Sequence, residues 1–263
     1  MLVNSYTVRR RGENHPLYSE DFLYLHETDQ FIYGAVFDGC SSGTDAHFSS
    51  SLLGKCLKKV LVFNTSPQLG DGSLRQHTYN VLHQVFSNLL FVISTLKLSW
   101  EELLSTFLLV VYSKEKDEAI IIIMGDGVVA INSEIFIIDQ NNAPDYPIYF
   151  LNQLQADDFS SWIEKIATIY HASNPQNIAI STDGILSFRA FAEEQIKTNS
   201  YMADISGIVH RLKASDTDIP QLLMAGPING SASASPLFTI VENLLHQKNL
   251  IVIDDLSVIR LTT

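Results

Sequence analysis

Three aspartate-glycine pairs and one aspartate pair are the residues of this chain best suited to chemistry. Asp38-Gly39, Asp126-Gly127 and Asp183-Gly184 close runs of β-branched and aliphatic residues at 32–38, 119–126 and 177–183, and Asp254-Asp255 closes a fourth at 249–254. Each run has the length and composition of a buried strand. Strand ends are rigid platforms, so sheet packing that gathered them would make the carboxylates converge. At ~4 Å and an effective dielectric of ~20, two carboxylates repel by about 4 kcal/mol, and three or four stay ionised together only beside a cation. The glycines leave room for a backbone carbonyl to serve as a further ligand. Taken singly, Asp-Gly reads as a hairpin turn. Repetition at well-separated places argues for more than turns, most clearly at Asp254-Asp255, which runs directly into the strand-like residues 256–259.

The elements that must position these groups follow from periodicity. Short antiparallel-type strands are expected at residues 6–10, 21–25 and 31–37. After Asp38 the pattern turns helical, with Phe48, Leu52, Leu53, Cys56, Leu57 and Val60 three and four residues apart. A longer helix carries Leu82, Val85, Phe86, Leu89, Leu90, Ile93 and Leu96 as a core stripe and starts after Ser73 as N-cap. Residues 106–112, 119–124, 128–131 and 134–138 then read as an antiparallel meander. Helical character returns at 159–170, 190–212 and 237–246, and strands close the chain at 250–253 and 256–261. Strands in antiparallel groups separated by helices imply an α+β fold, most simply two packed antiparallel sheets with helices on the outer faces.

The chain has 263 residues, 46% of them hydrophobic and 17% charged, ample for a core. No linker or repeat interrupts it, so one domain over residues 1–263 is expected. A net charge of −12 excludes nucleic acid as partner. The start has no apolar signal region and no run reaches the ~18 apolar residues of a membrane span, so a cytoplasmic protein without membrane association is expected. Cys40 and Cys56 match neither a disulfide framework nor a zinc pattern. Residues 141–160, rich in Asn, Asp and Pro, read as a surface loop.

The order of the acidic motifs resembles the PP2C-type metal-dependent Ser/Thr protein phosphatases, in their divergent bacterial branch. Glu20-Asp21 resembles the family's first acidic pair, Val36-Phe37-Asp38-Gly39 its Asp-Gly, and Met124-Gly125-Asp126-Gly127 its Gly-Asp landmark. Ser181-Thr182-Asp183-Gly184 is similar to its Ser-Asp-Gly motif, and Asp254-Asp255-Leu256-Ser257-Val258 to its closing motif. The resemblance implies a four-layer α-β-β-α sandwich with a metal centre at one end of the sheets. It implies that Asp38 bridges two Mg²⁺ or Mn²⁺ ions, with the Gly39 carbonyl and Glu20 on one and Asp183 and Asp254 on the other. Asp21 would hold the water near them, and Asp126 would belong to a weak third site. The implied reaction is hydrolysis of phosphoserine or phosphothreonine in a phosphorylated protein by activated water, with no phosphoenzyme. Oxygen ligands suit Mg²⁺ or Mn²⁺ rather than zinc.

Three positions depart from the pattern. Cys40 stands where many members carry a histidine after Asp-Gly, and its simplest reading is a small filler. No arginine lies just before Glu20, which leaves Arg10 or Arg11 as phosphate-binding residues reaching in from farther away; as a basic knot, residues 9–11 otherwise read as a solvated strand end. Ser187 replaces an acidic residue after Asp183. His15 and His47 are nearby in sequence, and lone histidines of this kind more commonly sit at surfaces or caps. These departures also suit a catalytically weak binding or regulatory module; a hydrolase of small phosphorylated metabolites would share the same centre and differ only in pocket shape. Substrate and oligomeric state leave no trace in the sequence.

Overall fold

The computed structural model describes residues 3–63, 72–140, 143–154, 158–190, 218–228 and 235–263. Its strands are β1 (Asn4–Arg10), β2 (Asp21–Glu27), β3 (Phe31–Asp38), β4 (Phe107–Ser113), β5 (Glu118–Met124), β6 (Gly127–Ile131), β7 (Glu134–Ile138), β8 (Thr168–Ser173), β9 (Asn177–Ser181), β10 (Phe188–Ala190), β11 (Leu250–Val252) and β12 (Leu256–Thr262). The helices are α1 (Ala46–Phe63), α2 (Leu74–Leu96), α3 (Phe159–Ile166) and α4 (Pro236–Gln247). Two five-stranded antiparallel sheets, β2-β3-β4-β5-β8 and β1-β12-β9-β6-β7, and a small β10-β11 pair make up the β structure.

Alternation along the strands builds three apolar layers. On β3, Phe31, Tyr33, Ala35 and Phe37 face α1 and α2, whereas Ile32 and Val36 face the other sheet. β4 and β5 are apolar on both faces because both faces are covered: Leu109 and Ile122 meet the helices, and Leu108, Val110, Ile121 and Ile123 meet Ile178, Ile180, Ile259 and Leu261. On the far side, Val128, Ala179, Leu256 and Val258 pack under Leu237, Val241 and Leu244 of α4. Helices, sheet, sheet and helix therefore form the expected four-layer α-β-β-α sandwich. Ser73 caps α2, accepting a hydrogen bond from the Gln76 amide at 3.2 Å, and Lys97 ends it in the left-handed region at φ 55°.

The expected meander is instead two hairpins in different sheets. β4-β5 belongs to one sheet and β6-β7 to the other, and the chain crosses between them at Gly125-Asp126. The helix expected over 159–170 stops at Ile166, and Tyr170 lies in β8, where pairing with β5 overrides local helical periodicity. Ala190 ends β10, and the rest of the helix expected at 190–212 lies outside the described residues. Residues 147–153, expected as loop, form a 3-10 helix with Leu151 buried. Among the described residues no helix is long and apolar enough to cross a membrane.

Candidate metal centre

At one end of the layer between the sheets, apolar side chains give way to carboxylates. Asp21, at the start of β2, is the cross-strand partner of Asp38, at the end of β3. Asp21 is 1% exposed and reaches the opposite sheet, where the Thr182 hydroxyl donates to its Oδ2 at 2.8 Å. Thr182 also accepts the Ser257 amide at 3.0 Å, so one threonine ties β2, β9 and β12 together. Thr106, just ahead of β4, fixes Asp38: its Oγ1 accepts the Asp38 amide at 3.0 Å and its amide donates to the Asp38 carbonyl at 2.8 Å.

Asp183 and Asp254 enter from the other sheet. Asp183 begins a 3-10 turn (Asp183–Leu186) directly after β9, and Asp254 links β11 to β12. Ser187 joins the two, donating to the Gly184 carbonyl at 2.7 Å and accepting the Asp254 amide at 3.0 Å. A Cβ on Gly184 would stand 1.8 Å from the Asp255 carbonyl oxygen, and one on Gly39 would stand 2.0 Å from that of Ala46. Glycine at both sites thus permits close backbone packing. None of the four acidic sites is a hairpin turn.

The electrostatics follow from burial and crowding. Asp38 is held well above the usual carboxylate range, first by burial and then by Asp21, Asp183, Asp254 and Asp255. Burial also lifts Asp21 well above that range; the nearby Ser257 and Thr182 hydroxyls pull against it, while Asp255 and Asp254 push with it. Asp183 is raised to about 6 by burial, then by Asp254 and Asp126. Asp126 is raised as well, chiefly by burial, and its Oδ1 accepts the Gln140 amide at 2.8 Å. It therefore lies on the Asp183 side of the cluster, next to Asp139 and Asp145. The Asp21 Oδ1 atom is buried with no hydrogen-bond partner, and among the described residues no Lys or Arg forms an ion pair with Asp21, Asp38, Asp183 or Asp254. Hard oxygen donors with unneutralised charge and a free lone pair fit a divalent cation of the Mg²⁺ or Mn²⁺ type. Among the described residues no group of three or more Asp, Glu, His or Cys side chains is arranged so that it could hold a metal ion.

Residues 11–223 match the family model of protein phosphatase 2C, more than half of the chain. The chain belongs to the protein phosphatase 2C family. A comparison with curated proteins returned no match. This PP2C chain is similar in fold to Stp1, a serine/threonine phosphatase from Staphylococcus aureus, at 10% identity over 100% of this chain and 96% of that one, with TM-score 0.57. It is similar to RsbX in complex with magnesium, at 13% identity over 99% and 94% of the two chains and TM-score 0.51. The PP2C phosphatase domain and regulatory-domain fragment of SpoIIE from Bacillus subtilis aligns at 14% identity and TM-score 0.54, covering all of this chain and 64% of that one. At these identities the likeness shows that the PP2C chain shares their fold.

Other expected residues of this PP2C chain are engaged differently. Glu20 accepts the Ser41 hydroxyl at 2.6 Å, and its amide and that of Gly12 donate to Asp255, the latter at 2.7 Å. Asp255 is thus a buried clamp that holds residues 11–20 against β12. Arg10 pairs with Glu242 of α4 at 3.2 Å, and Arg11 donates to the Pro16 carbonyl at 2.7 Å. His47 stacks on Tyr18 at 4.9 Å. His15 was not expected here: its side chain is 11% exposed, with Nδ1 2.9 Å from Asp255 and 3.6 Å from Asp254, and Nε2 3.5 Å from Glu20. Its only sequence signal is position, five residues ahead of Glu20. Cys40 is a half-buried free thiol. Burial pushes its thiol up, but hydrogen bonds from Ser42, Tyr146 and the backbone of Ser42 and Gly43 outweigh this and leave it lowered.

Proposed function

We propose that this protein is a Mg²⁺- or Mn²⁺-dependent phosphatase acting on phosphoserine or phosphothreonine in proteins, working as one cytoplasmic domain over residues 1–263. The observation that carries this reading is the group formed by Asp38, Asp21 and Asp183, all raised by burial and by neighbouring aspartates that include Asp254, with no Lys or Arg among the described residues paired to them. Burying so much like charge is costly unless a cation belongs there. In this reading Asp38, the Gly39 carbonyl, Glu20, Asp183 and Asp254 would hold two ions, and Asp126 would belong to a weaker third site. When bound, such a pair lowers the pKa of water toward neutrality and offsets charge on the phosphoryl oxygens.

The chain's own residues then orient the reactants. Asp21, anchored by Thr182, aims an acceptor at the attacking water. Thr106 keeps the Asp38 carboxylate at its strand end, and Ser187 keeps Asp254 beside Asp183. The phosphate is assigned to Arg11 or Arg10. Arg11 is the nearer, since it adjoins Gly12 on the Asp255 clamp and gives up only one carbonyl, whereas Arg10 must leave Glu242.

The test is hydrolysis of p-nitrophenyl phosphate and a phosphoserine peptide by purified protein with Mn²⁺, against Asp38→Asn. The expected outcome is turnover by wild type and a fall of at least ~100-fold in the variant. A second reading, a regulatory module that binds metal without turnover, is favoured by one observation, the engagement of both arginines away from the carboxylates. Wild type that binds Mn²⁺ calorimetrically yet is as inert as Asp38→Asn would select it.

A further inference from the structure

Two arms of chain lead away from the carboxylates and meet at a pair of exposed rings. The first leaves Asp38. The Asp38 carbonyl accepts the Thr106 amide, Gly39 bridges to Ser105, and the Cys40 and Thr44 amides donate to the Leu104 and Glu101 carbonyls at 3.0 and 3.1 Å. Trp100 stands at the end of that ladder. It opens the 3-10 helix Trp100–Glu102, which the Glu102 carboxylate caps by accepting the Ser99 amide at 2.8 Å. The second arm leaves Asp126, whose Oδ1 accepts the Gln140 amide. The Gln140 side chain holds Asp145 twice, donating to its carboxylate at 3.3 Å and accepting its amide at 2.5 Å. From Asp145 the chain enters the 3-10 helix that carries Tyr149.

The arms close where the Trp100 and Tyr149 rings lie 6.1 Å apart between centres, tilted by 54°. Trp100 is 54% and Tyr149 45% exposed, so much of both rings is open to another molecule. Their surroundings say what kind. Residues 38–45, 99–106 and 139–153, which build the two arms, hold six acidic residues and no lysine or arginine. Glu101 directly follows Trp100, and Asp145 is exposed four residues before Tyr149. An aromatic pair in an acidic field is complementary to a cation. The arginine guanidinium meets both demands, because its face stacks on rings while its edge pairs with carboxylates.

We propose that Trp100 and Tyr149 form a specificity surface for the substrate polypeptide, taking an arginine side chain that lies a few residues from the phosphoserine. The inference rests on the phosphatase reading above and names its substrate class, phosphoproteins whose phosphoserine lies in an arginine-containing segment. An extended substrate advances about 3.3–3.6 Å per residue, so about three or four residues and a long side chain reach from Asp38 along the ladder to Trp100. The guanidinium lies on the rings with Glu101 and Asp145 beside it. No bond is made or broken at this surface, so its contribution enters KM rather than kcat.

The readout is the ratio of kcat/KM with Mn²⁺ for two phosphoserine peptides, one carrying arginine at the third and fourth positions on either side of the phosphoserine, the other glutamine. Wild type favours the arginine peptide about tenfold, the combined size of an exposed cation–π contact and an exposed ion pair. Trp100→Ala lowers the ratio to about twofold through the KM of the arginine peptide; Tyr149→Ala lowers it too, and Trp100→Phe retains part of it. Phe238→Ala removes an exposed ring from α4, in the opposite outer layer, and leaves the ratio at its wild-type value. A wild-type ratio near one overturns the proposal. So does a ratio that survives both Trp100→Ala and Tyr149→Ala, a fall carried by kcat, or an equal fall in Phe238→Ala. Wild type inert on both peptides and on p-nitrophenyl phosphate overturns the phosphatase reading itself and this inference with it, a result distinct from an active enzyme without the preference.

Discussion

Asp183 shows what it costs to bury a carboxylate among others. Its folded pKa, about 6, lies above the ~3.9 of a free aspartate. A carboxyl raised on folding contributes stability that is fully present below the unfolded pKa and is lost as pH rises through the folded one. In EDTA, wild type should therefore lose on the order of 3 kcal/mol relative to Asp183→Asn between pH 4 and pH 7. Urea denaturation at each pH measures the difference. A constant gap between the two proteins would mean that the carboxylates do not burden one another. Asp38 and Asp21 are raised by the same causes and act in the same direction.

At the scale of elements, the centre depends on how closely the ends of β9 and β12 can approach. Gly184 permits that approach, because any Cβ there would collide with the Asp255 backbone at 1.8 Å. Gly184→Ala should cost about 2–3 kcal/mol by overpacking and weaken Mn²⁺ binding as Asp183 and Asp254 separate. Gly72→Ala is the comparison: a Cβ at Gly72 meets nothing within 4 Å, so its effect should stay within about 0.5 kcal/mol. Denaturant midpoints and calorimetry read both quantities. Equal behaviour of the two variants would remove the strand-end approach as the device that sets the ligand geometry.

For the molecule as a whole, a cation that binds only the folded state must stabilise it. At 100 times the dissociation constant the gain is about 2.7 kcal/mol, and each kcal/mol moves the thermal midpoint of a chain this size by about 2–4 °C. Saturating Mn²⁺ should thus raise the midpoint by about 5–10 °C, EDTA should reverse the rise, and Asp38→Asn should lose most of it. A thermal scan with no response to Mn²⁺ in wild type would sink the metal-centre reading independently of any activity. The net charge of −12 gives the cation a favourable field to enter.

Much of this was legible in the sequence because it is local. Apolar runs stopping at aspartate marked the strand ends, helical spacing marked α1 and α2, and Ser73 announced its cap. The family likeness was carried by acidic motifs in order. What tertiary structure alone decided was the choice of partner. A strand that is apolar on both faces, such as β5 or β6, looks the same whichever sheet it joins, so the split of the meander at Gly125-Asp126 could not be read from alternation. Tyr170 reads as helical until β5 offers it a ladder. His15 looks like an ordinary loop residue, since its approach to Asp254 and Asp255 depends on chain segments far apart in sequence closing in space. Composition and period encode which face of an element is buried. Only packing, summed over contacts across the whole chain, determines what that face is buried against.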